Sequence, residues 1–198
     1  MPKLLPTPAQ TVGPFFHYAL PYERGNELAL PGAAETVVLH GTVYDGAGAP
    51  VPDALIELWQ ADENGEAPSP AGALQRDGIT FAGYGRCATD AEGRYSFFTR
   101  TPGAMDGQQV PFFSLCVFAR GLLDRVFTRA YLDPAGVEKD LADVPAERRS
   151  TLAVIREQEA PGRERFRFDI RLQGSDETVF LEFSPATASP SDVLEAQN

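Results

Sequence analysis

The sequence is poor in histidine: there are two, His17 and His40, and none from residue 41 to the end. Histidine is the usual general base and the commonest imidazole ligand near neutral pH. A Ser-His-Asp triad or a zinc site built from this chain alone is therefore hard to assemble. Cysteine is equally scarce. Cys87 and Cys116 make no disulfide framework and read as two buried thiols of a cytoplasmic protein. No apolar run approaches the roughly 20 residues of a membrane span, and "MPKLLPTPAQ" lacks the apolar core of a signal peptide. Cations are outnumbered, 17 Lys and Arg against 28 Asp and Glu, for a formal charge of −11. That balance argues against nucleic acid and anionic membrane surfaces as partners. There is no glycine-rich phosphate loop between strand and helix, no βαβ rhythm and no repeat. Nucleotide chemistry is excluded on the same ground.

What is present is β-structure. Residues 1–35 are rich in Pro, Gly and Ala, and prolines deny such a segment both helix and central strand. It nevertheless carries Phe15, Phe16, Tyr18 and Tyr22, an aromatic load that belongs on a surface. We read an extended N-terminal arm that lies on a partner or on its own domain. From residue 36, "TVVLHGTVYDGAGAPVPDALIELWQAD" is strand, turn, strand, with His40 beside Gly41 and the only tryptophan, Trp59, at the end. Further strands are expected in "FAGYGRCATD", "RYSFFTR", "VPFFSLCVFARG" and "RVFTRAYLD". In the third of these the apolar run Phe112–Ala119 is closed abruptly by Arg120 and Gly121. A helix is expected near "DVPAERRSTL", with Asp143 as its cap and Pro145 and Glu147 in its first turn. "TLAVIREQ" and "RFRFDIRLQG" form a hairpin about Pro161-Gly162. In its second arm Phe166, Phe168, Ile170 and Leu172 share one face. "ETVFLEF" is read as the last strand and 185–198 as a flexible tail. The expected architecture is all-β: a β-sandwich over 36–184 with long loops and one or two short helices. Acid pairs for glycoside chemistry stay open because 28 acids are present, but most of these fall in turns or on helical surfaces, where a solvated face is the simpler reading.

Four segments taken together carry more. "TPAQTVGPFFH" (7–17), "GTVYDGAGAPVPDALIELWQADENGEAP" (41–68), "GYGRCATDAEGRYSFFTRTPG" (83–103) and "RFRFDIRLQGSDETVFLEF" (165–183) resemble the intradiol ring-cleavage dioxygenases over nearly the whole chain. The glycine turn, "PVPDA" and "IELWQAD" running into "NG" are the most specific part. The aromatic after "Q-T-x-G-P", the "FARG" strand end and "RFDIRLQG…ETVF" resemble the α rather than the β subunit of the family's two-chain enzymes.

The resemblance implies a prealbumin-related sandwich and a non-haem Fe(III) held by two tyrosines and a His-x-His pair. Hard oxygen and imidazole donors of that kind suit ferric iron. Run onto this sequence, the pattern puts the two histidine ligands at Phe112 and Ser114 and one tyrosine at Met105. The other tyrosine falls in "AGALQRDGITF", which contains none. It therefore implies a chain that binds no metal and has no catalytic residue of its own. Such a chain is poorly soluble alone and obligately paired with a β subunit that carries the Fe(III). The pair would cleave the catecholate 3,4-dihydroxybenzoate with O2 to 3-carboxy-cis,cis-muconate. By the same resemblance Thr11, Gly13, Pro14 and Arg120 of this chain line the partner's substrate pocket. A self-sufficient catechol or hydroxyquinol dioxygenase is the first rival, disfavoured by the missing His-x-His. A non-enzymatic prealbumin-like binding module is the second, and it would need neither the "FARG" end nor the C-terminal pair.

Overall fold

A computed structural model describes residues 13–68, 74, 76–133, 141–160 and 163–182. Among the described residues nine strands form two sheets. The first runs β4 (Arg94–Thr99), β1 (Val37–Tyr44), β8 (Arg163–Arg167), β7 (Ile155–Ala160), with β9 (Ile170–Arg171) also paired to β1. The second runs β3 (Tyr84–Ala88), β2 (Leu55–Trp59), β5 (Phe112–Phe118), β6 (Val126–Tyr131). Strand alternation explains the stacking. Val37, Leu39 and Val43 of β1, Phe97 of β4 and Phe166 of β8 meet Ile56 and Leu58 of β2 and Phe113, Leu115 and Val117 of β5 in one buried cluster. The chain is the β-sandwich that its sequence implies.

Three of the connections share a local rule. Asp45, Asp62 and Asp90 each begin a turn of the form Asp-x-x-Gly-x. Their carboxylates accept backbone N–H bonds from the residues two and four positions on, at 2.8–3.0 Å. The fourth residue is Gly48, Gly65 or Gly93, with φ of +78°, +86° and +72°. That conformation is cheap only for glycine, so aspartate and glycine together specify the turn.

Three local expectations are corrected. The segment after Asp143 is a 3₁₀ helix, Ala146–Leu152, whose cap position is Pro145 and which has no side-chain cap bond. Tertiary packing of Leu152 decides this short element, not a capping carboxylate. Residues 177–182 form no strand: Thr178 N donates to Arg171 O, Val179 N to Thr151 Oγ1 and Leu181 N to Phe127 O. Three different partners satisfy the backbone without building a ladder. Finally, the alternating run 166–173 is not one strand. It breaks at Phe168–Asp169, where the Asp169 carboxylate accepts the Thr42 N–H at 3.0 Å.

The arm departs from expectation too. It includes a single α-helical turn, α1 (Phe16–Ala19), between Pro14 and Pro21. Proline tolerates the start of a helix, so the two prolines limit its length rather than forbid it. Phe16 is buried against Leu55, Cys116 and Phe118, on the outer face of the second sheet. Farther along, Leu28 enters the main core and its N–H donates to Phe98 O at 2.8 Å. The described part of the arm thus lies on its own sandwich. Residues 185–198 lie outside the described residues.

Candidate functional site

The outer face of the second sheet holds the residues singled out from the sequence. Register sets them in rows: Leu55 opposite Phe118, Glu57 between Arg86 and Cys116, Trp59 between Tyr84 and Ser114, and Phe112 opposite Tyr131. Continuing the β2–β5 register two residues past Leu55 and Phe118 sets Asp53 opposite Arg120, and their side chains form an ion pair. The guanidinium is largely exposed, whereas the carboxylate side chain is only 17% exposed.

The same end of the face receives the arm. The Phe16 ring lies 6.2 Å from that of Phe118, two residues before Arg120. Gly13, with φ of +76°, and the exposed Pro14 immediately precede this contact. The arm is thus anchored, two residues after Pro14, near the end of the sheet where Arg120 lies. Thr11 lies outside the described residues.

Phe112 and Ser114 lie toward the opposite end. At about 3.3 Å rise per residue, Arg120 is about 26 Å along the strand from Phe112 and about 20 Å from Ser114. Phe112 is buried with Tyr131, Leu141, Val144 and Leu152, and Met105 packs against that cluster. Positions that the resemblance assigns to three different metal ligands thus converge on one corner, occupied by a ring, a hydroxymethyl and a thioether. Arg129 adds a cation: its guanidinium sits 4.2 Å from the centre of the Phe112 ring and reaches Tyr131 Oη at 3.4 Å. A fixed positive charge there opposes a ferric ion.

The remaining candidate donors fit iron no better. Tyr84 donates to Glu57 Oε1 at 2.9 Å, and burial together with that bond pushes its phenol above the usual tyrosine range. Burial likewise raises Tyr22, despite Arg76 and Arg86 beside it. Tyr84 is thus already committed to a carboxylate partner. Burial raises the Cys87 thiol and pushes Cys116 up to about 12. Both cysteines are free. Among the described residues no three His, Cys, Asp or Glu side chains gather as a metal-binding group. The two histidines are on different elements: His17 is on α1, while His40 faces outward from the other sheet, 3.0 Å from Glu157. Its partner is thus a carboxylate, not the backbone carbonyl that a structural imidazole suggests. The residues present do not fit the family's Fe(III) centre.

Residues 13–124 match the family model described as "Dioxygenase". The chain is also similar to the protocatechuate 3,4-dioxygenase alpha chain of Burkholderia cepacia, 41% identical over 92% of this chain and 100% of that one. It belongs to the intradiol dioxygenase family. A shorter similarity, 45% identity over 73 residues, is to the beta chain of the Burkholderia cepacia enzyme, covering 35% of this chain and 30% of that one. Among solved structures, the dioxygenase domain of a carbohydrate-binding fusion from Streptomyces sp. SirexAA-E shares the fold, with a TM-score of 0.56 at 24% identity. That match covers 86% of this chain and 99% of the other. Intradiol dioxygenases use non-haem iron, a requirement that the donors described above do not match. Among the described residues no helix is long and apolar enough to cross a membrane.

Sequence reasoning missed Asp53, Arg129 and the exposure of Trp59, which is 42%. For Asp53 the signal was present but indirect. "PVPDA" precedes β2 and "FARG" ends β5, so the ion pair becomes visible only once those strands are paired.

Proposed function

We propose that this chain is the α subunit of a cytoplasmic protocatechuate 3,4-dioxygenase. It holds no iron and completes the pocket of a β subunit that carries Fe(III), which the pair uses to convert 3,4-dihydroxybenzoate and O2 into 3-carboxy-cis,cis-muconate. One observation carries the reading. The corner that corresponds to the family's metal site is filled by Phe112, Ser114, Met105 and the Arg129 cation. Arg120, with the Gly13-Pro14 arm, stands about 26 Å away at the other end of the face. On this reading Arg120 serves the centre of another chain, and its distance from the Phe112 corner supports that reading.

This chain's contribution is binding and shape. Thr11, Gly13 and Pro14 line the pocket: Gly13 lets backbone approach an aromatic ring closely, and Pro14 stiffens the wall. The Arg120 guanidinium favours the anionic substrate, and its attraction grows as assembly excludes water. The exposed rings of Phe15 and Tyr18, 70% and 77% accessible, suit burial beneath a partner chain. No step of ring cleavage is assigned to a residue of this chain.

Spectrophotometric assays of 3,4-dihydroxybenzoate consumption test the reading. The co-purified pair of this chain and the β subunit is expected to cleave the ring, and this chain purified alone is expected to leave the substrate intact. Cleavage by the pure chain would instead establish a self-sufficient dioxygenase.

A further inference from the structure

We propose that Asp53 is a positioning residue for Arg120, holding its guanidinium in place before substrate arrives. The inference rests on the reading of this chain as the pocket-completing subunit.

The two side chains are not equivalent. Asp53 sits in the turn before β2, 17% exposed and close to the Leu55–Phe118 pair that the arm covers, whereas the Arg120 side chain is 64% exposed. An ion pair this open to solvent adds little to stability. Its effect is on geometry. Arg120 lies just past the last residue of β5, before Gly121 at φ +95°, where no further ladder restrains it. A long side chain at such a point has many rotamers, and a shielded carboxylate directly across the sheet selects among them. The pair joins one terminal guanidinium nitrogen, Nη2, to Asp53 Oδ2, so the other edge of the fork is left for an anion.

Two consequences oppose each other when Asp53 is neutralised. The local potential becomes more positive, which favours an anionic substrate. The guanidinium also loses its anchor, which disfavours binding. We infer that the loss of the anchor is the larger effect, because oriented donors contribute more in a closed pocket than an added diffuse charge.

The test uses the assembled pair. D53N is expected to raise KM for 3,4-dihydroxybenzoate about fivefold, with kcat and the KM for the carboxylate-free analogue 4-methylcatechol within about twofold of wild type. In an R120A background the same substitution is expected to add nothing. A KM that falls, or a D53N effect that persists undiminished without Arg120, overturns the proposal. If R120A raises KM and D53N leaves it unchanged, Asp53 is excluded while the pocket reading stands. If R120A itself leaves KM unchanged, the pocket reading fails first. Should D53N not assemble, D53E shifts the carboxylate by one methylene and is expected to raise KM in the same direction, an unchanged value counting against the proposal.

Discussion

Replacing Arg120 with alanine in the assembled pair is expected to raise KM for 3,4-dihydroxybenzoate about ten- to a hundredfold. A hydrogen bond to a charged group in a water-poor pocket has that magnitude, about 1.5–3 kcal/mol. The ion pair that is lost with it, to Asp53, is mostly open to solvent on the arginine side and accounts for less than about 1 kcal/mol of fold stability. The thermal midpoint of the pair should therefore hardly move, and neither should its iron content. Arg120→Lys is expected to recover only part of the loss, because an ammonium cannot hold Asp53 on one side and present a flat fork on the other. Steady-state kinetics on the purified variants decide the matter. A KM within twofold of wild type would remove Arg120 from the pocket and leave it as a surface ion pair.

The second large effect concerns Gly41. In mid-strand a glycine normally weakens the sheet, so its presence in "VVLHGTVY" signals a close approach. A Cβ built at this position would meet the Phe168 carbonyl oxygen at 1.9 Å. That carbonyl cannot easily yield. It accepts the buried Tyr95 hydroxyl at 2.5 Å, and the N–H of Phe168 donates to His40 O at 2.8 Å. Gly41→Ala must therefore push apart β1 and the segment between β8 and β9, at a cost of about 3–5 kcal/mol. For a chain of this size the thermal midpoint should drop about 10 °C, or the variant should fail to fold. A calorimetric midpoint unchanged to within a degree or two would show that the crossing is looser than described.

Most of the fold was legible because its signals are local. Apolar runs bounded by turn residues located β1, β2, β4, β5 and β6, and the Asp-x-x-Gly turns between them are written in two residue types. Hidden features depended on distant partners. Nothing within 166–173 reveals that Phe168 and Asp169 leave the ladder, because the cause is Thr42 and Gly41 on another strand. Residues 177–182 carry a strand's composition but find three separate acceptors instead of a neighbouring edge. At the site, the lack of histidine after His40 showed what the chain lacks as a metal protein. What replaced the ligands was not legible. Arg129 reads as an ordinary outward residue of β6 until its place opposite Ser114 and over Phe112 is known.

The most direct measurement is an iron count, by atomic absorption, on this chain purified alone and on the pair purified after co-expression with the β subunit. The expected result is no firmly bound iron in the first sample and one ferric ion per pair in the second. One stoichiometric Fe(III) on the isolated chain would contradict the assignment of the filled corner at Phe112, Ser114 and Met105.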